Sequence, residues 1–352
     1  MENIIAKLKQ KIGLTQDEMQ DAMQEIMQGK ASELDIENFL LLLRDKGLTR
    51  DEITGAALTL RRFMVPVTTK HKILLDTCGT GGDKKGTFNI STISAFVVAG
   101  CGVAVAKHGN RSISSKCGSA CILEALGVNL DLKDEHLSAC LDDVGIVFLF
   151  AQKLHPSMRI VAPIRKKLKV ETIFNILGPL SNPAKATHQI MGVYSRDYVE
   201  ALADVLKNLG LKKAMVVHGS DGLDEITTTG KTFIAEYNGE EVISYDITPD
   251  ELGFDFAKPA DLLGGDIEEN LKIFKSILSG TPGPKRDIVL INAAYALYIA
   301  EKAKTLNEGL EMAKESIDSG KAAMKLQQLI EFTNRIEKVN SKVFDKGNAV
   351  NE

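Results

Sequence analysis

The chain has 352 residues, 44% of them apolar, with a formal net charge of -4. That length exceeds the usual single-domain range and the apolar content suffices for a core, so a large domain with a smaller companion is expected and a disordered chain is excluded. A mild negative charge without blocks of Lys or Arg gives no bulk attraction to nucleic acid or anionic membrane, so any anion must be held by a local site.

The opening "MENIIAKLKQKIGLTQDEMQ" carries charges throughout and lacks the apolar core of a signal peptide, and no run of about 18 uncharged apolar residues follows. Cys78, Cys101, Cys117, Cys121 and Cys140 are odd in number and form no CxxC pair. Free thiols in a reducing cytoplasm are therefore expected. Residues 1 to about 66 read as short helices: Thr15-Gln-Asp-Glu18 and Thr49-Arg-Asp-Glu52 fit a capping box, and Ser32-Glu-Leu-Asp35 is a weaker relative. At Pro66 the pattern breaks, and "KILLDTCG" reads as a buried strand entering a glycine loop. Apolar runs then alternate with helical stretches: "STISAFVVAGCG" as helix, "VAVAKHGN" as strand, "DYVEALADVLKNLGL" as helix, "KKAMVVHG" as strand. "GTPGPKRD" reads as a loop before the C-terminal helices. The fold class is α/β: a small helical domain, residues 1–66 with part of 160–185 packed on it, and a catalytic domain over 70–345 with a central, mostly parallel sheet.

The first chemical stretch is "DTCGTGGDKKGTFNIST", from Asp76 to Thr92. It fails the dinucleotide fingerprint because Lys84 stands where the last glycine belongs, and fails the Walker loop because Thr87 stands where a lysine is required. The logic of an anion cradle survives, with glycine amides followed by Asn89, Ser91 and Thr92 at a helix start. Asp83 would repel bare phosphate, so its presence points to a ligand with both phosphate and ribose, together with Mg2+. A capped glycine turn is the bland alternative for the loop alone. "AKHGNRSISSKCGSA" after the next strand supplies Lys107, Arg111 and Lys116 among hydroxyls, the mixture a phosphate ester needs. In "VVHGSDGLDEIT" the adjacent carboxylates Asp224 and Glu225 suit Mg2+ shared with a diphosphate.

In "LHPSMRIVAPIRKKLKVETIFNILGPLSNPA" Arg165 follows a proline at an expected helix start and could pair with the carboxylate of a second substrate; Arg159 could do likewise. His155 reads as a turn residue. His108 is open between a steric or hydrogen-bonding role and proton transfer. Cys117 and Cys121 would share a helical face, and with no further ligand beside them they read as packing residues.

Together these motifs, in order and over essentially the whole chain, resemble the anthranilate phosphoribosyltransferase family: "GTGGD" with "TFNIST", "KHGNR" with "GSA", "HPSMRIVAPIRKKL" with "FNILGPLSNPA", and "HGSDGLDEIT". The resemblance implies transfer of phosphoribose from 5-phosphoribosyl-1-diphosphate to the amine of anthranilate, with Mg2+ assisting. It implies donor contacts at Gly79, Gly82, Asp83, Thr87, Asn89, Ile90, Ser91, Thr92, Lys107, His108, Gly109, Asn110, Arg111, Ser112, Ile113, Ser114, Ser115 and Ser119. Anthranilate would meet Gly79, Asn110 and Arg165, the metal Ser91, Asp224 and Glu225, and no general base is assigned. A homodimer through the helical domain is implied; no nucleic-acid or membrane partner is. Cys117-Gly-Ser-Ala-Cys121 departs from the family's Ser-Gly-Ser-Ala/Ser-Asp, and Lys84 stands where glycine is frequent. A pyrimidine nucleoside phosphorylase, the nearest competitor, is disfavoured by "TFNIST" with "GLDEIT". A nucleic-acid-binding paralogue is disfavoured by the charge and the intact motifs.

Overall fold

The computed structural model describes residues 1–111 and 118–348, with side chains through residue 335. The N-terminal bundle is α1 (Glu2–Lys9), α2 (Gln16–Met27), α3 (Glu33–Lys46) and α4 (Arg50–Arg62). Its helix starts lie where the capping residues place them. Thr15 and Thr49 accept from the third amide of their helices while Glu18 and Glu52 return a bond to the cap amide, and Ser32 accepts from the Asp35 amide. Met19, Met23, Ile26, Phe39, Leu43 and Ile53 fill the space between the helices. Glu52 is fully buried and fully used: it accepts from the Leu14 amide at 2.9 Å and pairs with Lys46 at 2.9 Å.

After Pro66 come β1 (Leu74–Asp76), α5 (Ile90–Gly100), β2 (Ala104–Gly109), α6 (Ser119–Ala125), α7 (Asp134–Val144) and β3 (Ile146–Phe150). Then follow α8 (Ala151–Leu154), α9 (Met158–Leu168), α10 (Phe174–Leu177), β4 (His188–Gly192), α11 (Val199–Asn208), β5 (Lys213–Gly219), β6 (Thr232–Tyr237) and β7 (Val242–Ile247). The chain closes with α12 (Ile267–Leu278), α13 (Pro284–Ile299), α14 (Leu306–Asp318) and α15 (Lys321–Asn348). Among the described residues the strands form one seven-stranded sheet in the order β3-β2-β1-β4-β5-β6-β7. The first five strands pair parallel, and β6 and β7 are added antiparallel. The mostly parallel sheet expected from the alternation of apolar runs and helices is therefore present.

Helices cover both faces, which is why the parallel strands read as unbroken apolar runs. Along β5, Met215 and Val217 enter the core formed with α5 and α13, while Ala214 and Val216 enter the opposite one. That opposite core is continuous with the bundle interior. Val161 and Ile164 of α9 and Phe174 and Leu177 of α10 belong to it together with Met19, Phe39 and Ile53. Residues 155–178 thus make an excursion from the sheet to the bundle and back. Arg61, at the end of α4, ties the two bodies by donating to the carbonyls of Leu180 (2.7 Å) and Leu209 (3.2 Å).

Two local expectations need correction. Pro163 lies inside α9 and Arg165 in its last turn, not at a helix start: the helix has already begun at Met158, and its packing through Val161 and Ile164 outweighs the amide that proline lacks. Pro284 does not belong to a loop but is the first residue of α13, where its fixed φ and missing donor are tolerated. No described helix is long and apolar enough to cross a membrane.

Candidate active site

The chain steps outward from β1 to β2 to β3, then returns to β4 on the other side of β1. This reversal is the topological switch point of an open α/β sheet, and the crevice beyond the strands' carboxyl ends is where such sheets take ligands. The loops that leave β1, β2, β4 and β5 meet there.

The loop after β1 carries the glycine stretch. Gly81 and Gly82 adopt left-handed backbone (φ 64° and 83°), and so does Lys84 at φ 57°. That conformation explains why glycine suits position 84, and the Lys84 side chain is exposed. The loop lies over the end of β4, with the Thr80 amide donating to Gly192 O at 2.8 Å. Close approach is built in here: a Cβ on Gly79 would come 2.9 Å from Asp224 Oδ2, and one on Gly192 only 1.5 Å from the Asp224 carbonyl oxygen. Gly192 and the β4 end were not among the candidates, since "IMGVYS" carries no polar signal. Only its sheet position shows its importance.

Asp224 and Glu225, on the loop after β5, reach into the amides of the loop after β1. Gly81 N donates to Asp224 Oδ2 at 2.7 Å, and Ser91 N to Glu225 Oε1 at 3.1 Å. Asp83 Oδ1 accepts from the Lys85 amide at 3.2 Å. The amide of Ser91, expected to face phosphate, and that of Gly81 in the glycine stretch are thus taken by the protein's own carboxylates. The low-polarity surroundings raise the pKa of all three acids above the ordinary carboxylate range; for Asp224 the charge of Asp83 adds to this, and for Glu225 that of Asp224, with Lys107 opposing in both cases.

Lys107, near the end of β2 and almost fully buried, donates to Thr77 O (3.1 Å), Thr77 Oγ1 (3.2 Å) and Ser91 Oγ (3.2 Å). It thereby joins the β1 and β2 loops and sets a cation beside the acids. Asn89 precedes α5, Ser91 is in its first turn, and Ile90 and Thr92 turn their side chains into the core at 1% exposure. Any ligand contact at positions 90 and 92 therefore runs through the backbone. Thr87 bridges to Leu263 and Gly86 O accepts from the Gly264 amide, so the segment before α12 covers this loop.

Beside Lys107 is a buried cluster that sequence reasoning missed. Asp76 accepts from the His108 amide (3.2 Å) and from Asn182 Nδ2 (2.7 Å), and Asn182 also donates to Ala106 O (2.8 Å). Burial lifts Asp76 to about 6, with the Asn182 bond opposing. His108 Nδ1 is 3.1 Å from Gly178 O and its Nε2 is 3.2 Å from His155 Nε2. A carbonyl can only accept, so Nδ1 of His108 holds the proton, its Nε2 accepts, and His155 Nε2 donates. Burial holds both rings neutral, pushing His108 to about 3, with His155 adding to the effect, and His155 to about 4. The His108 lone pair is engaged, which favours its hydrogen-bonding role, and His155, whose carbonyl accepts from the Met158 amide at 3.1 Å in the expected turn, is also its partner.

At the end of β2, a Cβ on Gly109 would lie 2.5 Å from the Phe148 ring. Asn110 O accepts from Ser119 Oγ at 3.2 Å, and Arg111 pairs with Glu124 at 2.6 Å. Ser112, Ile113, Ser114 and Ser115, with Lys116 and Cys117, lie outside the described residues. On the 155–178 excursion, Arg165 is half-buried, donates to Asn175 Oδ1 at 3.3 Å and stands 5.6 Å from the Phe174 ring centroid. Burial lowers its pKa, but a guanidinium stays charged. Arg159 is exposed, so the arginine held in a defined position is Arg165.

The donor set expected for a cation is oxygen only: the carboxylates of Asp224 and Glu225 and the hydroxyl of Ser91. Among the described residues, no three acids, imidazoles or thiols are grouped closely enough to cage a metal by themselves. This fits Mg2+, which is commonly held by one or two carboxylates with substrate phosphates and water completing its shell. Ser91 Oγ would have to be shared with Lys107.

Residues 71–323 match the glycosyl transferase family, a/b domain, and residues 2–64 match the glycosyl transferase family, helical bundle domain. The anthranilate phosphoribosyltransferase of Moorella thermoacetica is 52% identical over 317 residues, spanning 90% of this chain and 94% of its own. That of Acetivibrio thermocellus is 49% identical over 334 residues, spanning 95% and 97%. Among solved structures, the anthranilate phosphoribosyltransferase of Thermus thermophilus superposes with a TM-score of 0.89 at 39% identity, covering 94% of this chain and 99% of its own. The Saccharomyces cerevisiae enzyme, in complex with PRPP and Mg, gives 0.86 at 28% identity, covering 95% and 98%.

Proposed function

The chain belongs to the anthranilate phosphoribosyltransferase family, and from that premise we propose how its own residues divide the work. Phosphoribosyl diphosphate lies against the stretches after β1 and at the end of β2, at Gly79, Gly82, Asp83, Thr87, Asn89 through Thr92, Lys107 through Ser115 and Ser119. Ser91, Asp224 and Glu225 hold Mg2+, and Arg165, with Gly79 and Asn110, takes anthranilate. The observation that carries this reading is the convergence of three strand-end loops through Gly81–Asp224, Ser91–Glu225 and Lys107–Ser91 contacts.

Breaking the C1–O bond leaves positive charge on the ribose and negative charge on the departing diphosphate. Mg2+, when bound, supplies charge neutralisation at the diphosphate. Lys107, fixed by Thr77 and Ser91, adds a preorganised cation on the same side, and its burial keeps water from screening it. Arg165 fixes the carboxylate of anthranilate, so that the amine faces C1 and the encounter becomes intramolecular. An aromatic amine has a free lone pair at neutral pH, so attack needs no strong base. His108 agrees with that, since its Nε2 already accepts from His155.

The bundle through about residue 66, with part of the 160–185 segment on it, forms one wall, and the body over 70–345 the other. A homodimer through the bundle and a cytoplasmic location, in keeping with the unpaired cysteines, complete the reading. The test of the site is Arg165→Ala, assayed by loss of anthranilate fluorescence. The KM for anthranilate should rise about 10- to 100-fold, with the KM for the diphosphate donor within twofold. An unchanged anthranilate KM would refute the role of Arg165.

A further inference from the structure

His155 and Gly178 are the two ends of the excursion that carries Arg165 from the sheet to the bundle and back. Both ends bond the same imidazole, His108: Gly178 O accepts from Nδ1 at 3.1 Å, and His155 Nε2 donates to Nε2 at 3.2 Å. The rings lie 5.1 Å apart between centroids and are tilted by 49°. His108 is itself fixed in the body, because its amide donates to Asp76, which Asn182 holds in turn. Both imidazoles are at least 95% buried, at 3% and 5% exposure, so neither bond can be exchanged cheaply for one to water.

We propose that His155 is a positioning residue that, through His108, clasps the Arg165-bearing excursion to the end of β2 and so sets the spacing between the two substrate walls. The inference rests on the reading that Arg165 takes anthranilate while the loops after β1 and β2 take the donor. On that reading the anthranilate pocket is split across the clasp, with Arg165 on one side and Gly79 and Asn110 on the other. The described residues assigned to the donor all lie on the body. Loosening the clasp should therefore weaken anthranilate far more than donor. A ring that merely filled space would affect both substrates alike, through stability.

The test compares His155→Phe, which keeps a ring but cannot donate, with His155→Gln, whose amide can replace Nε2–H. The full-length enzyme is assayed with both substrates, and amide hydrogen exchange is followed over residues 158–178. For His155→Phe the clasp predicts a rise in anthranilate KM of about tenfold, donor KM within twofold, and faster exchange in that segment. His155→Gln should recover most of the difference. Unchanged exchange in His155→Phe overturns the clasp whatever the kinetics show. Faster exchange with an unmoved anthranilate KM overturns its part in positioning substrate, provided that Arg165→Ala raises that KM. If Arg165→Ala leaves it unmoved, the fault lies in the assignment of Arg165 and the exchange result decides the clasp by itself. Equal losses for Phe and Gln with both substrates reduce His155 to packing.

Discussion

Replacing Gly192 by alanine adds one methyl group at the end of β4, out of the crevice itself. The new Cβ would stand 1.5 Å from the carbonyl oxygen and 2.3 Å from the carbonyl carbon of Asp224. Ordinary contact requires the Asp224 backbone to retreat by roughly 2 Å. The displaced backbone carries Asp224 and Glu225, whose carboxylates are joined to Gly81 N and Ser91 N by bonds of 2.7 and 3.1 Å. A retreat of that size breaks both. Misplacement by about 1 Å can cost on the order of 100-fold in rate, so kcat/KM for the donor should fall at least 100-fold, and more Mg2+ should be needed for half-maximal rate. Overpacking should cost a further 1–3 kcal/mol or so of stability, visible in urea denaturation. On the proposed assignment of Arg165 to anthranilate, the KM for that substrate should move much less. The assay is anthranilate fluorescence at varied Mg2+ and donor concentrations. A folded Gly192→Ala enzyme with an unaltered Mg2+ requirement and kcat/KM would refute the argument that this contact aligns the acids.

On the proposed assignment of Mg2+ to Asp224 and Glu225, their raised pKa values let protons compete with the metal, so Mg2+ should activate less well as pH falls from about 8 to about 6, and Glu225→Gln should flatten that dependence. For the metal-free protein the sign is set by folded-state values above the unfolded one: stability is highest below the unfolded carboxylate value and is lost as pH rises through the folded values. The melting temperature of Glu225→Gln relative to the parent should therefore increase from pH 5 to pH 8, and a constant difference would contradict the shift. Asn182→Leu, of similar volume, leaves Asp76 Oδ2 and Ala106 O without their bonds at 2.7 and 2.8 Å. It should cost about 2–4 kcal/mol in chemical denaturation, and a loss under about 0.5 kcal/mol would mean that Asp76 finds another donor.

The parts of the fold legible in the sequence are those whose signals are local. Thr15, Thr49 and Ser32 mark helix starts because a cap is satisfied within four residues, and the structure shows those bonds. The strand of "KKAMVVHG" is legible because it is buried on both faces and its run is bounded by a turn. Pro163 misleads for the converse reason. Its local effect is to end or kink a helix, and what keeps α9 whole is burial of Val161 and Ile164 against residues more than a hundred positions away in the chain. The candidate site divides along the same line. Residue types that suit phosphate or Mg2+ can be read from their chemistry, as Asp224, Glu225 and Lys107 were. Gly192, Asp76, Asn182 and Asn175 have no such signature, because each acts by what it touches across the sheet.

The acids' hold on the cradle also changes how the glycine stretch should be understood. A preformed anion site would present free amides to the crevice, whereas here Gly81 N and Ser91 N already meet carboxylates. A diphosphate entering alone would face Asp83, Asp224 and Glu225 in a setting that disfavours even their own charges. An anion arriving with a divalent cation meets the opposite situation: the acids gain a partner, and the amides they occupy can be released to phosphate oxygens. On the proposed assignment the arrangement thus favours the diphosphate donor in company with its cation over the free anion, and it does so through backbone bonds that a glycine-rich loop alone would not supply.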